Sequence, residues 1–219
     1  MITTLRRFAI AVAMIAFVTT QGFSFDPADL NRVTFVNRTG YDFVYLFFSP
    51  GDSEYWGPDI LGTTRTLDNG ERLSYFISYP DRSNTFDFMA IDVDGDAYII
   101  WDYVIRDGRE SVIEITFDSF DGVYDLASLA MVNLRNDTGY DMYYVFLSPG
   151  DSNMWGIDML DATTVLSTGE TLSLFVPVDN TSRYDFMGAD EDGDVYEFWI
   201  ELRPDQMEYT FAIELSDLQ

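Results

Sequence analysis

The sequence predicts an all-β chain of two tandem antiparallel β-sandwich domains, immunoglobulin-like or C2-like, related by internal duplication. Three observations predict it. Residues 33–120 align with 132–218 at an offset of 99, which becomes 98 after a one-residue deletion near Ser83, and roughly two-fifths of the positions are identical. Runs rich in aromatic and β-branched residues are separated by turn signals at about the ten-residue spacing of a sandwich. In the second copy Tyr196, Phe198, Ile200 and Leu202 alternate with Val195, Glu197, Trp199 and Glu201, so one face of that segment is buried and the other wet.

Taken in chain order, residues 1–24 read as a secretory signal. Arg6 and Arg7 precede an apolar run over 8–18 that is too short to span a bilayer, and small and polar residues follow it. No cysteine follows the run, which excludes a lipid anchor there. Residues 25–121 form the first repeat and 122–219 the second. A two-copy repeat of this length means tandem domains and not a solenoid, so each copy is expected to fold alone with 121–130 as the connection.

In the first copy strands are expected over 33–36, 41–48, 64–67, 72–77, 85–91, 97–104 and 112–117. Asparagine, aspartate and glycine mark turns at 37–40, 68–70, 79–84, 92–96 and 106–108. The segment 49–62 is a longer connection, with Ser49 and Pro50 placed to start a short helical turn. Strand 41–48 is apolar on both faces, which suggests a central position. If every connection reverses direction, the turns at 37–40, 68–70 and 92–96 share one end of the sandwich and the 49–62 loop lies at the other.

Composition removes several chemistries. The 12 basic residues are all Arg, against 38 acidic ones, and the chain has no Lys, His or Cys. Ser-His-Asp and Cys-His catalysis, Schiff-base lysines, zinc on imidazole or thiolate, and the lysine-bearing phosphate loop are therefore excluded. Carboxylate chemistry and oxygen-ligated hard cations remain. The net charge of −26 becomes about −28 if the signal is removed, and such a surface repels nucleic acid and anionic lipid while favouring cations and basic partners.

Two constellations recur in both copies. The first is Asp-x-Asp-Gly-Asp, formed by Asp92, Asp94 and Asp96 and again by Asp190, Asp192 and Asp194. Crowded carboxylates repel unless water screens them or a cation such as Ca²⁺ sits between them. The pentapeptide resembles the aspartate-rich loops of EF-hand and dockerin proteins, but its glycine comes fourth instead of sixth, and the twelfth position is Tyr103 in one copy and Glu201 in the other. The other reading is a tight β-hairpin in which Asp94-Gly95 and Asp192-Gly193 supply positive φ angles.

The second constellation is the loop carrying Trp56 and Asp59, repeated as Trp155 and Asp158. It either presents an aromatic platform to a sugar or peptide, or folds back so that the tryptophan plugs the sandwich. Strand parity puts Trp101 and Trp199 on the wet face as further ligand-contact candidates. Asn37, Asn136 and Asn180 begin glycosylation sequons, and a plain turn explains them without a sugar.

Together these features predict an exported protein, periplasmic or extracellular, that is a non-enzymatic binding or structural module for a protein, glycan or cation. Calcium is the one cofactor in prospect. A carboxylate-dependent glycoside hydrolase and an outer-membrane β-barrel are the alternatives.

Overall fold

The structure, a computed structural model, describes residues 25–78, 85–106 and 108–219. The signal segment, the expected turn at 79–84 and Asp107 lie outside the described residues. The first half contains β1 (Asn31–Arg38), β2 (Phe43–Pro50), β3 (Arg72–Ser78), β4 (Thr85–Asp92), β5 (Asp96–Val104), β6 (Ser111–Thr116) and β7 (Phe120–Val123). The second contains β8 (Leu129–Asn136), β9 (Met142–Pro149), β10 (Gly156–Ile157), β11 (Thr171–Pro177), β12 (Ser182–Asp190), β13 (Val195–Leu202) and β14 (Glu208–Ile213). Helical structure among the described residues is confined to 3-10 turns of three residues.

The strands form open sheets in the orders β10-β3-β1-β6, β2-β4-β5-β7, β11-β8-β14 and β13-β12-β9. Thus β2, expected to be central because both its faces are apolar, lies at a sheet edge, and its outer residue Phe47 is covered by Tyr124 and Leu129 instead. In the first half the inward faces meet as the alternation requires, with Phe35 of β1 edge-on to Phe88 of β4 at 5.1 Å between ring centroids. The expected wholly antiparallel arrangement is corrected in one respect. β1 pairs parallel with β6, and β8 parallel with β14. The chain leaves β5 in one sheet and enters β6 in the other, so β6 reaches β1 by a crossover instead of a hairpin and runs alongside it.

The expected strand at 64–67 is a second correction. Only Leu67 pairs, through reciprocal backbone hydrogen bonds with Phe43 of 3.1 and 3.0 Å. Its neighbours follow the β2 edge as a loop because Asn37 holds them there. Asn37 is fully buried, its Nδ2 donates to the carbonyls of Tyr41 (2.7 Å) and Leu67 (2.8 Å), and its Oδ1 accepts from the Thr39 amide and hydroxyl. Asn136 does the same with Tyr140, Leu166 and Thr138. Both are therefore structural bolts, as the turn reading of these sequons expects.

The two halves are joined by mutual exchange. β10, from the loop of the second half, adds to β3 of the first in antiparallel register, Gly156 opposite Ser78 and Ile157 opposite Ile77. The Asp158 amide then donates to the Phe76 carbonyl (3.0 Å), and in the opposite sense the Asp59 amide donates to the Phe175 carbonyl of β11 (2.7 Å). Gly156 takes φ +74°, and a Cβ there would lie 2.2 Å from Phe48 of the first half, so only glycine fits.

The loop tips meet as well. Ser53 donates to Asp151 (2.7 Å) and Ser152 to Asp52 (2.6 Å). Each half also lends a strap to the other's outer sheet face. Phe25 packs on Tyr144 and Phe146, while Tyr124 and Leu129 pack among Phe47, Met89 and Ile91. The expected boundary at residues 121 and 122 falls within β7, and the main apolar cluster runs without a break from Val33 and Phe88 through Ile60, Ile157 and Leu160 to Val132 and Ile213.

Candidate functional site

The long loop is fixed from below. Buried Ser49 donates to the Tyr55 carbonyl (2.8 Å) and Ser148 to the Met154 carbonyl (2.6 Å), which sets the direction of the next residue, Trp56 or Trp155. Each tryptophan lies over the outer face of a sheet, half-buried against Phe47 and Met89 in one half and Phe146 and Met187 in the other. They line the platform instead of plugging the end of the sandwich.

Three residues further on, Asp59 and Asp158 are fully enclosed, at 0 % and 1 % exposure. Sequence reasoning placed them as ligand contacts, and burial corrects that. Asp59 Oδ1 accepts from the amides of Leu46 (2.8 Å) and Leu61 (3.0 Å), and Asp158 Oδ1 from those of Val145 (2.9 Å) and Leu160 (3.1 Å), so each carboxyl bolts its loop to β2 or β9. Burial pushes the Asp59 carboxyl up to about 8 against the pull of those amides, and drives Asp158 well above its ordinary range by the same cause.

Strand parity places the other tryptophans outside, as expected. Trp101 on β5 is 58 % exposed and Trp199 on β13 is 60 % exposed. Trp56 meets Trp101 at 5.7 Å between ring centroids with planes tilted by 42°. In the second half Trp155 and Trp199 line a groove of about 330 Å³ together with Arg183, Asp185, Glu197 and Gln219. Asp185 is the register partner of Trp199 across β12 and β13. Arg183 pairs with Asp185 (2.7 Å) and stands over the Trp199 ring at 5.2 Å. Burial, together with the Asp185 charge, raises the Glu197 carboxyl above its usual range.

The equivalent acid in the first half is Asp87, which accepts from the Asp102 amide (2.6 Å) at a bulge where Asp102 takes φ +54°. Burial raises the Asp87 carboxyl, and the neighbouring Asp102 charge adds to the shift. Asp87, Asp185, Arg183 and Glu197 escaped sequence reasoning. The available signal was parity, because Asp87 and Asp185 stand two residues before Met89 and Met187 on strands whose inward partners are all apolar.

The acidic turns are built inward from their first residue. Buried Asp92 accepts on Oδ1 from the amides of Asp94 and Asp96, both at 3.0 Å, and on Oδ2 from the Tyr98 hydroxyl (3.3 Å). Asp190 repeats this with Asp192, Asp194 and Tyr196. Asp94, Asp192 and Asp194 face solvent, and Gly95 and Gly193 take φ +87° and +82°. Among the described residues no three carboxylates converge at a spacing that would hold an ion. Tyr140 and Asp141 stand beside Asp190 and Asp192, so the 37–40 and 92–96 types of turn do share an end.

No protein-family model matches the chain, and no curated protein matches it. Among solved structures, the crystal structure at 3.00 Å of a candidate adhesin from Bacteroides ovatus ATCC 8483 is similar over 89 % of this chain and 94 % of that chain, at 8 % identity and a TM-score of 0.24. The class defined by the fold is an all-β chain of packed sheets, with a tryptophan-bearing face on each half.

Proposed function

We propose that the chain is an exported, non-enzymatic binding protein that holds its ligand on the outer sheet faces bearing Trp56 and Trp101 in one half and Trp155 and Trp199 in the other. One observation carries the reading: in each half a tryptophan more than half exposed lies beside a second one fixed by the loop, with a carboxylate on the adjoining strand. Leaving so much indole in water is costly unless a partner covers it, and exposed aromatics beside polar groups are what binding surfaces are built from.

The alternatives fit the same geometry less well. The two carboxyls displaced furthest upward, Asp59 and Asp158, are sealed beneath the loops where no glycoside can reach them. A membrane barrel needs a closed sheet, and the sheets described here are open. The test is binding of the intact mature chain to immobilised glycan and peptide panels, followed by the Trp101→Ala, Trp199→Ala double variant. Loss of the bound ligand by about tenfold or more is expected. Full retention of binding would place the ligand elsewhere.

A further inference from the structure

The two faces differ in a way that identifies a ligand group. In the second half the seat formed by Trp199 and Asp185 holds a guanidinium: Arg183 donates through Nε to Asp185 (2.8 Å) and lies 5.2 Å from the centre of the Trp199 ring. The molecule thus shows, within itself, that this pairing of indole face and carboxylate accepts a planar cation.

The first half has the same indole and the same acid, Trp101 and Asp87, but Thr85 where the second has Arg183. The positions are structurally equivalent, since the Gly51 amide donates to the Thr85 carbonyl and the Gly150 amide to the Arg183 carbonyl, both at 2.8 Å. Among the described residues no arginine stands over Trp101. Asp102, whose amide donates to Asp87 at the bulge, also acts on it by charge, so two acids stand beside the exposed Trp101.

We propose that Trp101, Asp87 and Asp102 form a docking seat for an arginine side chain of a basic partner protein. The proposal rests on the binding reading above and narrows its ligand. The guanidinium lies over the indole and bonds to Asp87, as Arg183 does with Trp199 and Asp185, with the Asp102 charge beside it, and the net charge of −26 steers basic partners toward the chain. A lysine ammonium lacks the planar face and serves less well.

The experiment titrates the intact mature chain, at moderate salt, with a short peptide carrying two arginines, its lysine counterpart and cellohexaose, read by tryptophan fluorescence and calorimetry. The arginine peptide is expected to bind at one site, about tenfold tighter than the lysine peptide. Thr85→Arg should abolish that site by filling it, Asp87→Asn should weaken it, and Arg183→Thr should raise the stoichiometry toward two. Equal affinity for both peptides, unchanged by Thr85→Arg, would mean diffuse electrostatics and overturn the seat. Binding of cellohexaose alone, lost in Trp101→Ala, would overturn it while leaving the tryptophan faces as the binding surface. No response to any probe would count against both.

Discussion

Asp59 and Asp158 show how one side chain governs a whole loop. Each is enclosed, accepts two amides on one oxygen and lies near a tyrosine whose ionisation is opposed first by burial and then by the aspartate, Tyr45 for Asp59 and Tyr144 for Asp158. Asp59 Oδ2 has no hydrogen-bond partner among the described residues. The protonated carboxyl is thus favoured in the folded state and the ionised one in the unfolded chain. Because the folded chain binds the extra proton, stability from these groups is fully present below the unfolded carboxylate range near pH ~4 and is lost as pH rises through the folded value. Urea titrations from pH 4 to 8 are expected to show falling stability, reaching its floor above about 8, the value to which Asp59 is raised. Asp59→Asn, Asp158→Asn keeps the amide contacts and removes the titration, so its profile should be flatter; a profile as steep as that of the parent would place the proton elsewhere. Asn37 acts comparably at the other end of the sandwich, where Asn37→Ala leaves the buried carbonyl of Leu67 without its side-chain donor and should cost about 2 kcal/mol in the same measurement.

At the level of the element, the first residue of each Asp-x-Asp-Gly-Asp turn is committed to hydrogen bonds within the turn. Asp92 and Asp190 satisfy three donors each, Asp94, Asp192 and Asp194 face water, and Asp96 is half-buried. Calcium is therefore expected to shift the melting curve no more than magnesium at matched ionic strength, and Asp94→Asn with Asp192→Asn should leave stability unchanged or slightly higher through relieved repulsion. A calcium-specific rise lost in that variant would restore an ion to the turns. Asp92→Ala, in contrast, orphans the Asp94 and Asp96 amides and the Tyr98 hydroxyl and should destabilise by about 1–3 kcal/mol. These turns, the strand faces and the exposure of Trp101 and Trp199 were legible in the sequence because they follow from local rules: a period of two, and glycine where φ must be positive. The strand expected at 64–67, the parallel partners of β1 and β8, and the enclosure of Asp59 were not legible, because each depends on residues far away in the chain. No periodicity reports that Asn37 will reach the Leu67 carbonyl or that Phe175 will accept from Asp59. The tryptophan loop misled for the same reason, since the sheet face it would rest on is completed by a strap from the other half.

For the whole molecule, the junction decides whether each half is a folding unit. Repeated boundaries at 25–121 and 122–219 suggest that it is, whereas the shared packing argues the opposite. β3 ends without its partner strand if the second half is absent, Asp59 and Asp158 lose the carbonyls that receive their amides, and the outer faces around Phe47 and Phe146 lose their straps. An exposed sheet edge beside uncovered aromatics is unfavourable for an isolated half. Separately expressed, each half should show a broad, weakly cooperative transition or form a dimer that exchanges its loop with a second copy, since the loops are equivalent. Mixing the two should give a one-to-one complex with a sharp transition. A substitution separates this from loss of fold within one half. Gly156→Ala places a methyl carbon against Phe48 of the other half and requires a strained positive φ, so it should destabilise the intact chain by about 2 kcal/mol or more and weaken reassembly of the mixed halves by the corresponding factor of about thirty. It should leave the residual structure of the isolated second half unchanged, because the ring it collides with is then absent. If the halves instead unfold cooperatively alone, and Gly156→Ala perturbs the isolated second half as much as the intact chain, the glycine serves its own half and the junction is only a contact between two finished domains.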